Sequence, residues 1–344
     1  MRRPTIAELA QEAGVSVSTI NRILSGGVVV RGTTMQRVQR AAERIGFNGL
    51  GTIAHRIRDS APHFRFGFVL QQSKRELYQI IGKKIIEACR GRREEVVEPL
   101  VEFIDQLTPD NCAARLLALG RRCDAVALTA ADHPVIGQAI RELQEAGKPV
   151  VTYISDHAVP ERAAHVGTDN WKLGRTAAYL MTKTINSSGR IAVLLGNHRY
   201  QCQDIADASF RSYIREHAPH FTVEESRPTQ EESDIAFQII TDILYKSSDL
   251  IGILVVGGGV SGVLKALRQI PEERRKAIRL ICRDIGPETR KGLSEGLITA
   301  ALCHPLDAMS DLLVQTMIDV ARRDGVAAVG QRTVAFEILT PENL

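Results

Sequence analysis

An α/β protein is predicted: a small all-α N-terminal unit followed by two doubly wound α/β lobes. Two patterns carry that reading. Over the first 47 residues, apolar side chains recur at helical spacing between serine, threonine and glycine breaks. From Phe64 onward, short apolar runs alternate with amphipathic helical stretches. Near-continuous apolar strands with helices between them mean parallel sheets covered on both faces. At 344 residues there is ample chain for such cores. A hydrophobic content of 44% with 24% charged residues excludes a disordered or fibrous chain.

Thr5 opens the first helix, and Glu8 three residues on completes a capping box. Ile6, Leu9, Ala10 and Ala13 give that helix one apolar side, and Gly14 ends it. Ser16 caps a second helix whose apolar side is Val17, Ile20, Ile23 and Leu24, ended by Gly26-Gly27. Two helices joined by a short turn containing glycine form a helix-turn-helix, whose second helix lies in the DNA major groove. Thr33 or Thr34 can cap a third helix, buried through Val38, Ala41, Ala42 and Ile45. A three-helix protein-binding module is the alternative.

Charge favours nucleic acid. Residues 1–60 hold nine arginines and no lysine against four carboxylates, so the body that follows is close to neutral although the chain carries +4. Positive charge concentrated on one small unit is the footprint of a phosphate-binding module. Met1-Arg2-Arg3-Pro4 leads straight into a polar helix, so no secretion signal is read, and no apolar run reaches membrane-spanning length. The six cysteines are scattered without metal-ligand spacing and read as reduced, buried thiols. No metal and no cofactor are implied, and a cytoplasmic protein is expected.

Domains are expected at 1–48 (the helical unit), 49–63 (a linker) and 64–344 (the two-lobed α/β body). The first lobe would span about 64–160 and 294–323, the second about 161–293 and 324–344.

Gly257-Gly258-Gly259-Val260-Ser261-Gly262 fits G-x-G-x-x-G between an apolar strand and a helix, with Asp284 22 residues beyond. By spacing this is a dinucleotide fingerprint, and it makes an NAD-linked oxidoreductase the alternative function. Against it, the motif lies deep in the second lobe, with no acid, base or nucleophile arranged around it.

The run A-E-L-A-Q-E-A-G-V-S-V-S-T-I-N-R-I-L-S-G, followed by T-T-M-Q-R-V-Q-R-A-A-E-R-I-G-F-N, resembles the headpiece of the lactose-repressor (LacI/GalR) family of bacterial transcription regulators without a gap from Thr5 to Phe47. The resemblance continues more loosely to the C-terminus. It makes the three expected domains a headpiece, a hinge and an effector-binding and dimerisation domain. Family resemblance, not periodicity, implies that the strand at Ile298–Leu302 and the helix after it return to the first lobe, and that one strand at Thr333–Leu339 closes the second. The resemblance also implies an effector domain like the periplasmic sugar-binding proteins, with ligand in the cleft at the strands' carboxyl ends. The family binding mode implies a homodimeric, effector-responsive regulator, usually a repressor, on palindromic double-stranded operator DNA. A small sugar, polyol or sugar phosphate would act as inducer or corepressor.

Val17 and Ser18 then begin the base-reading face, with Arg22 one turn later. Thr5, Ser16, Thr19, Asn21, Ser25 and Thr34 complete the DNA set, Ser16 and Thr34 also reading as simple caps. The hinge would fold on DNA and wedge Ile57 into the minor groove, the alternative being a plain tether. For the effector, the expected residues are Gln71, Tyr153, Ser155, Asp156, Asp204, Gly257, Gly258, Arg283, Asp284 and His304. Asp284 stands where the family's aspartate binds sugar hydroxyls. Gly257-Gly258 replaces an Asn-Asp pair and leaves backbone N–H groups suited to hydroxyls or to an anion. The family's arginine on the helix after Tyr200 is absent, its position and that of the following glycine being Ala206 and Ser209, so Arg283 is the candidate replacement cation. Trp171 reads as packing rather than as a stacking platform.

Overall fold

The structure is a computed structural model and describes residues 3–25, 32–53, 55, 61–283, 285–322 and 330–344. Two compact units are present, Met1–Arg65 with Glu87–Pro99, and Phe66–Ile86 with Leu100–Leu344.

In the N-terminal unit, α1 (Ile6–Ala13) carries the full Thr5–Glu8 capping box and ends on Gly14 at φ +61°. Helix α2 (Val17–Ser25) starts with the Thr19 N–H donating to Ser16 Oγ at 3.2 Å. Helix α3 (Gly32–Ile45) begins ahead of Thr33 and Thr34, so both lie in its first turn and neither is its cap. The Arg37 guanidinium on α3 donates to the carbonyls of Ala13 (2.9 Å) and Gly14 (2.8 Å). It thereby answers the orphan acceptors at the end of α1 and locks the turn. Leu9, Ala10, Ile20, Ile23, Val38, Ala41 and Ala42 close the core. Ile53 is fully buried in that core and Leu50 packs against it, on helical backbone at 50–53. Burying an isoleucine side chain is worth about 1.5–3 kcal/mol. The start of the segment read as hinge is therefore held by the headpiece.

The remaining strands form two sheets among the described residues. The first has the order β12-β5-β4-β3-β1-β2, built from β1 (His63–Gln71), β2 (Val96–Ile104), β3 (Ala125–Leu128), β4 (Val150–Tyr153), β5 (Ala164–Thr168) and β12 (Gly330–Val334). Its helices are α4 (Glu76–Arg90), α5 (Pro109–Gly120), α6 (Pro134–Glu145) and α13 (Leu306–Ala321). The second has the order β13-β11-β10-β9-β6-β7, with β8 also on β6. It comprises β6 (Gly189–Leu195), β7 (Phe221–Val223), β8 (Arg227–Pro228), β9 (Leu250–Val255), β10 (Arg279–Arg283), β11 (Ala300–Cys303) and β13 (Glu337–Leu339). Helices α7 (Asn170–Thr184), α8 (Gln201–His217), α9 (Ser233–Lys246), α10 (Val260–Leu267), α11 (Glu272–Ala277) and α12 (Pro287–Ser294) surround it.

Three assignments from the sequence change. Strand β5 pairs in parallel with β4, so the first lobe runs past residue 161 to Thr168. Strand β11 lies parallel to β10 with Cys282 opposite Ala301, in the second lobe and not the first. The short helix α12, unmarked by strong periodicity, is the crossover that returns the chain to the same sheet. The stretch Thr333–Leu339 is two strands: β12 joins β5 in the first sheet, and β13 joins β11 antiparallel in the second. The chain therefore crosses between lobes at three places, after Thr168, at His304-Pro305 and between Val334 and Glu337.

Small residues set the helix packing of the second lobe. A Cβ on Gly174 of α7 would collide with the Ala206 carbonyl and Ser209 Oγ of α8. Gly174→Ala is expected to lower stability to urea by about 1–3 kcal/mol, as overpacking does. An unchanged unfolding curve would show that α7 and α8 are not in this contact.

Candidate functional site

The first candidate surface is α2. Burial of Ile20 and Ile23 turns Val17, Ser18, Asn21, Arg22 and Ser25 outward, and Val17 is 46% exposed despite being aliphatic. Ser16 Oγ lies 2.9 Å from both Ser18 Oγ and Thr19 Oγ1, and Ser25 Oγ donates to the Arg22 carbonyl. The helix start is thus a cluster of hydroxyls beside an apolar tip. Thr5 is exposed at the start of α1, occupied by Glu8, and Thr34 is half-buried on α3. Ile57 lies outside the described residues.

The second candidate is the cleft between the lobes. An outer space of about 760 Å³ is lined by Gln72, Arg75, Glu231, Gly259, Arg283 and Gly286, among others. An inner chamber of about 40 Å³ is lined by Ser155, Tyr200, Gln203, Glu231, Gly257, Arg283 and His304. Of the four described non-glycine residues with positive φ, Ile154 (+69°) and Glu231 (+63°) line the inner chamber, Gln72 (+44°) lines the outer space, and Gln230 (+53°) immediately precedes Glu231. Such backbone costs on the order of 1 kcal/mol or more per residue and is tolerated where surrounding contacts hold it.

Those contacts are specific. The Glu231 carboxylate is buried and paired with Arg75 of the opposite lobe. It also accepts from Gln203 Nε2 at 2.7 Å, while Gln203 Oε1 accepts from the Gly196 N–H at 2.6 Å. A Cβ on Gly196 or Gly258 would strike Glu231, and one on Gly257 would strike Gln203. Gly259 has φ +109° and abuts Ala236, and Gly262 packs on the Ser233 carbonyl. The glycine run therefore makes room for the chain's own Glu231, Gln203 and α9. A carboxylate stands where a pyrophosphate would have to approach, which removes the physical basis of the dinucleotide reading.

Across the cleft, Gln71 Oε1 accepts from Tyr78 Oη (3.0 Å) and from Tyr200 Oη of the second lobe (3.1 Å). Burial pushes the Tyr200 phenol well above its usual value, so it stays a donor. Arg283 at the end of β10 is 5% exposed. Its Nη2 donates to Thr168 Oγ1 (3.1 Å) and to His304 Nε2 (2.6 Å). A guanidinium has only donors, so His304 Nε2 accepts and the ring's proton sits on Nδ1.

The expected effector residues divide accordingly. Ser155, Gly257, Arg283 and His304 line the inner chamber. Gln71 is buried just behind it as the tyrosine acceptor. Tyr153 is buried in β4, and Gly258 faces Glu231. Asp156 does not face the cleft: Arg162 takes both its oxygens (2.6 and 2.7 Å), with Thr152 and the His157 N–H adding to them. Burial alone would raise the Asp156 carboxyl, yet Arg162, His165 and Thr152 outweigh it and leave it below the usual value. Asp204 points to solvent and pairs with His198 at 3.1 Å; one residue earlier on α8, Gln203 takes the inward position. Asp284 lies outside the described residues. Trp171 is half-exposed on α7 and lines neither space. Arg75, Tyr200, Gln203 and Glu231 are the cleft residues that sequence reasoning missed.

Residues 5–48 match the family profile of bacterial regulatory proteins, lacI family, and residues 66–325 match that of the periplasmic binding protein domain. Comparison with curated proteins gave no match. Solved structures with the same fold include a glucose-galactose binding protein from Geobacillus stearothermophilus, 20% identical over 83% of this chain and 99% of that one, TM-score 0.72. Others are an ABC transporter solute binding protein from Burkholderia graminis in complex with D-arabinose (19%, 83% and 97%, TM-score 0.73) and one from Agrobacterium vitis bound with alpha-D-tagatopyranose (16%, 81% and 95%, TM-score 0.72). At these identities the likeness shows the fold.

A further bridge between the lobes is sensitive to acid. The Asp132 N–H donates to the Arg199 carbonyl at 2.7 Å, and its carboxylate accepts from Gln201 (3.4 Å) and the Ala158 N–H (3.1 Å). The His157 ring, its Nδ1 3.4 Å from the carboxylate, is the largest influence and, with these others, holds the Asp132 carboxyl down at about 2. The folded value lies below the unfolded one, so the stabilisation is complete above the unfolded carboxylate range and is lost as pH falls towards 2. Wild type is expected to exceed Asp132→Asn in stability to urea at pH 6 by about 2 kcal/mol at most, with the gap closing by roughly pH 2. A gap independent of pH would overturn this role.

Proposed function

We propose, for a chain that belongs to the lacI family of bacterial regulatory proteins, that it is a cytoplasmic, homodimeric repressor whose hold on a near-palindromic operator changes when a small sugar-like effector enters the interlobe cleft. Family and fold point to a DNA-binding regulator with a sugar-binding-protein-like domain, not to an enzyme. The observation that carries the reading is the outward face of α2, with Val17, Ser18 and Arg22 presented by a packed three-helix unit.

On DNA, that face enters the major groove. Val17 meets a thymine methyl, and Arg22 reaches guanine or phosphate one turn on. Ser16, Thr19, Asn21, Ser25, Thr34 and Thr5 set register on the phosphates and carry no sequence information themselves. Two copies related by a two-fold axis read two half-sites, and the hinge with Ile57 spans the minor groove between them. The cleft residues come from both lobes, so a ligand held by Ser155 on one side and by Gly257 and Arg283 on the other favours closure. Asp284 adds a hydroxyl acceptor. The sugars named with the structural relatives support a sugar-sized effector. Coupling between cleft and headpiece is a difference in affinity between two states, typically about 1–3 kcal/mol.

Selection of duplexes from random DNA by the purified protein, repeated with a panel of sugars, polyols and sugar phosphates, tests the reading. A palindromic site whose occupancy responds to one compound is expected; purely non-specific, unresponsive binding would sink it. On the selected site, Arg22→Ala is expected to cost about 1–3 kcal/mol of specific affinity. An unchanged affinity would remove Arg22 from the reading face.

A further inference from the structure

Arg283 carries a charge that the described protein does not answer. It is 95% buried by its 5% exposure, and among the described residues it forms no ion pair. Only Nη2 is engaged, with Thr168 Oγ1 and His304 Nε2, both neutral acceptors. Nε and Nη1, three N–H donors between them, have no partner, and the residue lines both the outer cleft and the inner chamber. Across the inner chamber, Ser155 Oγ is also buried without a partner. A desolvated guanidinium without a counter-charge costs several kcal/mol, so a site built this way is completed from outside the protein.

The neighbouring backbone has the same polarity. Helices α9, α10 and α12 all begin at the outer cleft without a side-chain cap. Helix starts favour negative charge. The carboxylates on this rim do not cancel the inner charge. Glu232, Asp234 and Glu288 are exposed at those same helix starts, with Glu288 paired to Arg268 at 3.2 Å, and Glu76 and Asp105 are exposed on the opposite side, Asp105 accepting from the Ser73 N–H and hydroxyl. Glu231, the one buried carboxylate in the chamber's described lining, is taken by Arg75 and Gln203.

We propose that the effector is an acidic sugar-sized molecule, bearing a carboxylate or a phosphate, and that Arg283 is its counter-charge. This rests on the effector reading of the cleft. Nη2 stays tied to Thr168 and His304, at two of the three crossings between lobes, while Nε and Nη1 take the oxyanion. The residue that holds the charge is thus bonded to the segments about which the lobes turn.

The test uses the full chain, as wild type, Arg283→Gln and Arg283→Lys. Thermal midpoints are read with inorganic phosphate and, separately, with acetate, against chloride at equal ionic strength. Each compound in the matched sets glucose, glucuronate, glucose 6-phosphate and arabinose, arabinonate, arabinose 5-phosphate is then scored for its effect on operator binding. Wild type is expected to gain thermal stability with at least one oxyanion, and Arg283→Gln to bind that oxyanion about tenfold to a hundredfold more weakly. Arg283→Lys should recover part of the response. Far-UV circular dichroism and a single cooperative thermal transition confirm that Arg283→Gln is folded. The separate phosphate and acetate arms tell which acid the site takes. An Arg283→Gln protein that responds to both oxyanions as wild type does, or a wild type indifferent to both, overturns the proposal. A neutral sugar that shifts operator binding equally in wild type and Arg283→Gln also overturns it but leaves the effector reading standing. Oxyanion binding through Arg283 with no compound altering operator binding would instead fail the effector reading alone.

Discussion

A carboxylate withdrawn from water must be met by donors, and the cleft of this protein is arranged around one that is. Glu231 is buried on a left-handed backbone and is met by Arg75 from one lobe and Gln203 from the other. Breaking such a pair by removing one partner leaves an unanswered buried charge, at a cost of about 3–5 kcal/mol. The surrounding sequence is constrained to suit. Gly196 and Gly258 are glycine because any Cβ would meet Glu231, and Gly257 because one would meet Gln203. The glycine-rich loop is therefore a consequence of a polar network inside the protein, and its spacing owes nothing to a dinucleotide pyrophosphate.

The same network links the lobes. Arg75–Glu231, Gln71–Tyr200 and Asp132–Arg199 all span the cleft, while the covalent connections are confined to three crossings. In a two-lobed body with few covalent crossings, those segments are where a hinge motion would turn. The bridging polar contacts are what a change of state must make or break. Because they are hydrogen bonds and ion pairs in a half-desolvated space, the balance between states rests on a few kcal/mol, the scale on which a small ligand acts.

The headpiece was legible in the sequence because its signals are local. Capping box, terminating glycine and helical periodicity act within a few residues, and Thr5, Glu8 and Gly14 do in the fold what their types require. Lobe membership was not legible for β5, β11 and β12. An apolar strand followed by a helix has the same pattern whether it returns to its own sheet or crosses to the other, and only pairing decides. The cleft was half legible. Ser155, Arg283 and His304 sit at strand ends, where the topology of such sheets puts ligands. Glu231 was invisible because a positive φ at a non-glycine residue has no sequence mark. Asp204 and Gln203 are one step apart on α8, and that step turns the side chain by about 100°, from solvent to chamber.

The departures from the family pattern on α8 and β10 also fit together physically. Where relatives carry an arginine and a glycine on α8, this chain has Ala206 and Ser209, both buried beneath Gly174 of α7. That helix pair is closed tightly, with no room for a long cationic side chain on that face. The cation of the cleft is instead Arg283, on the strand and tied to Thr168 and His304. Moving the positive charge from a helix surface to the crossings changes what it can report. On a helix it would hold a ligand to one lobe. Here its ligand-facing nitrogens and its hinge-facing nitrogen belong to one rigid planar group, so a ligand on Nε and Nη1 is held in fixed geometry to the crossings that Nη2 bonds.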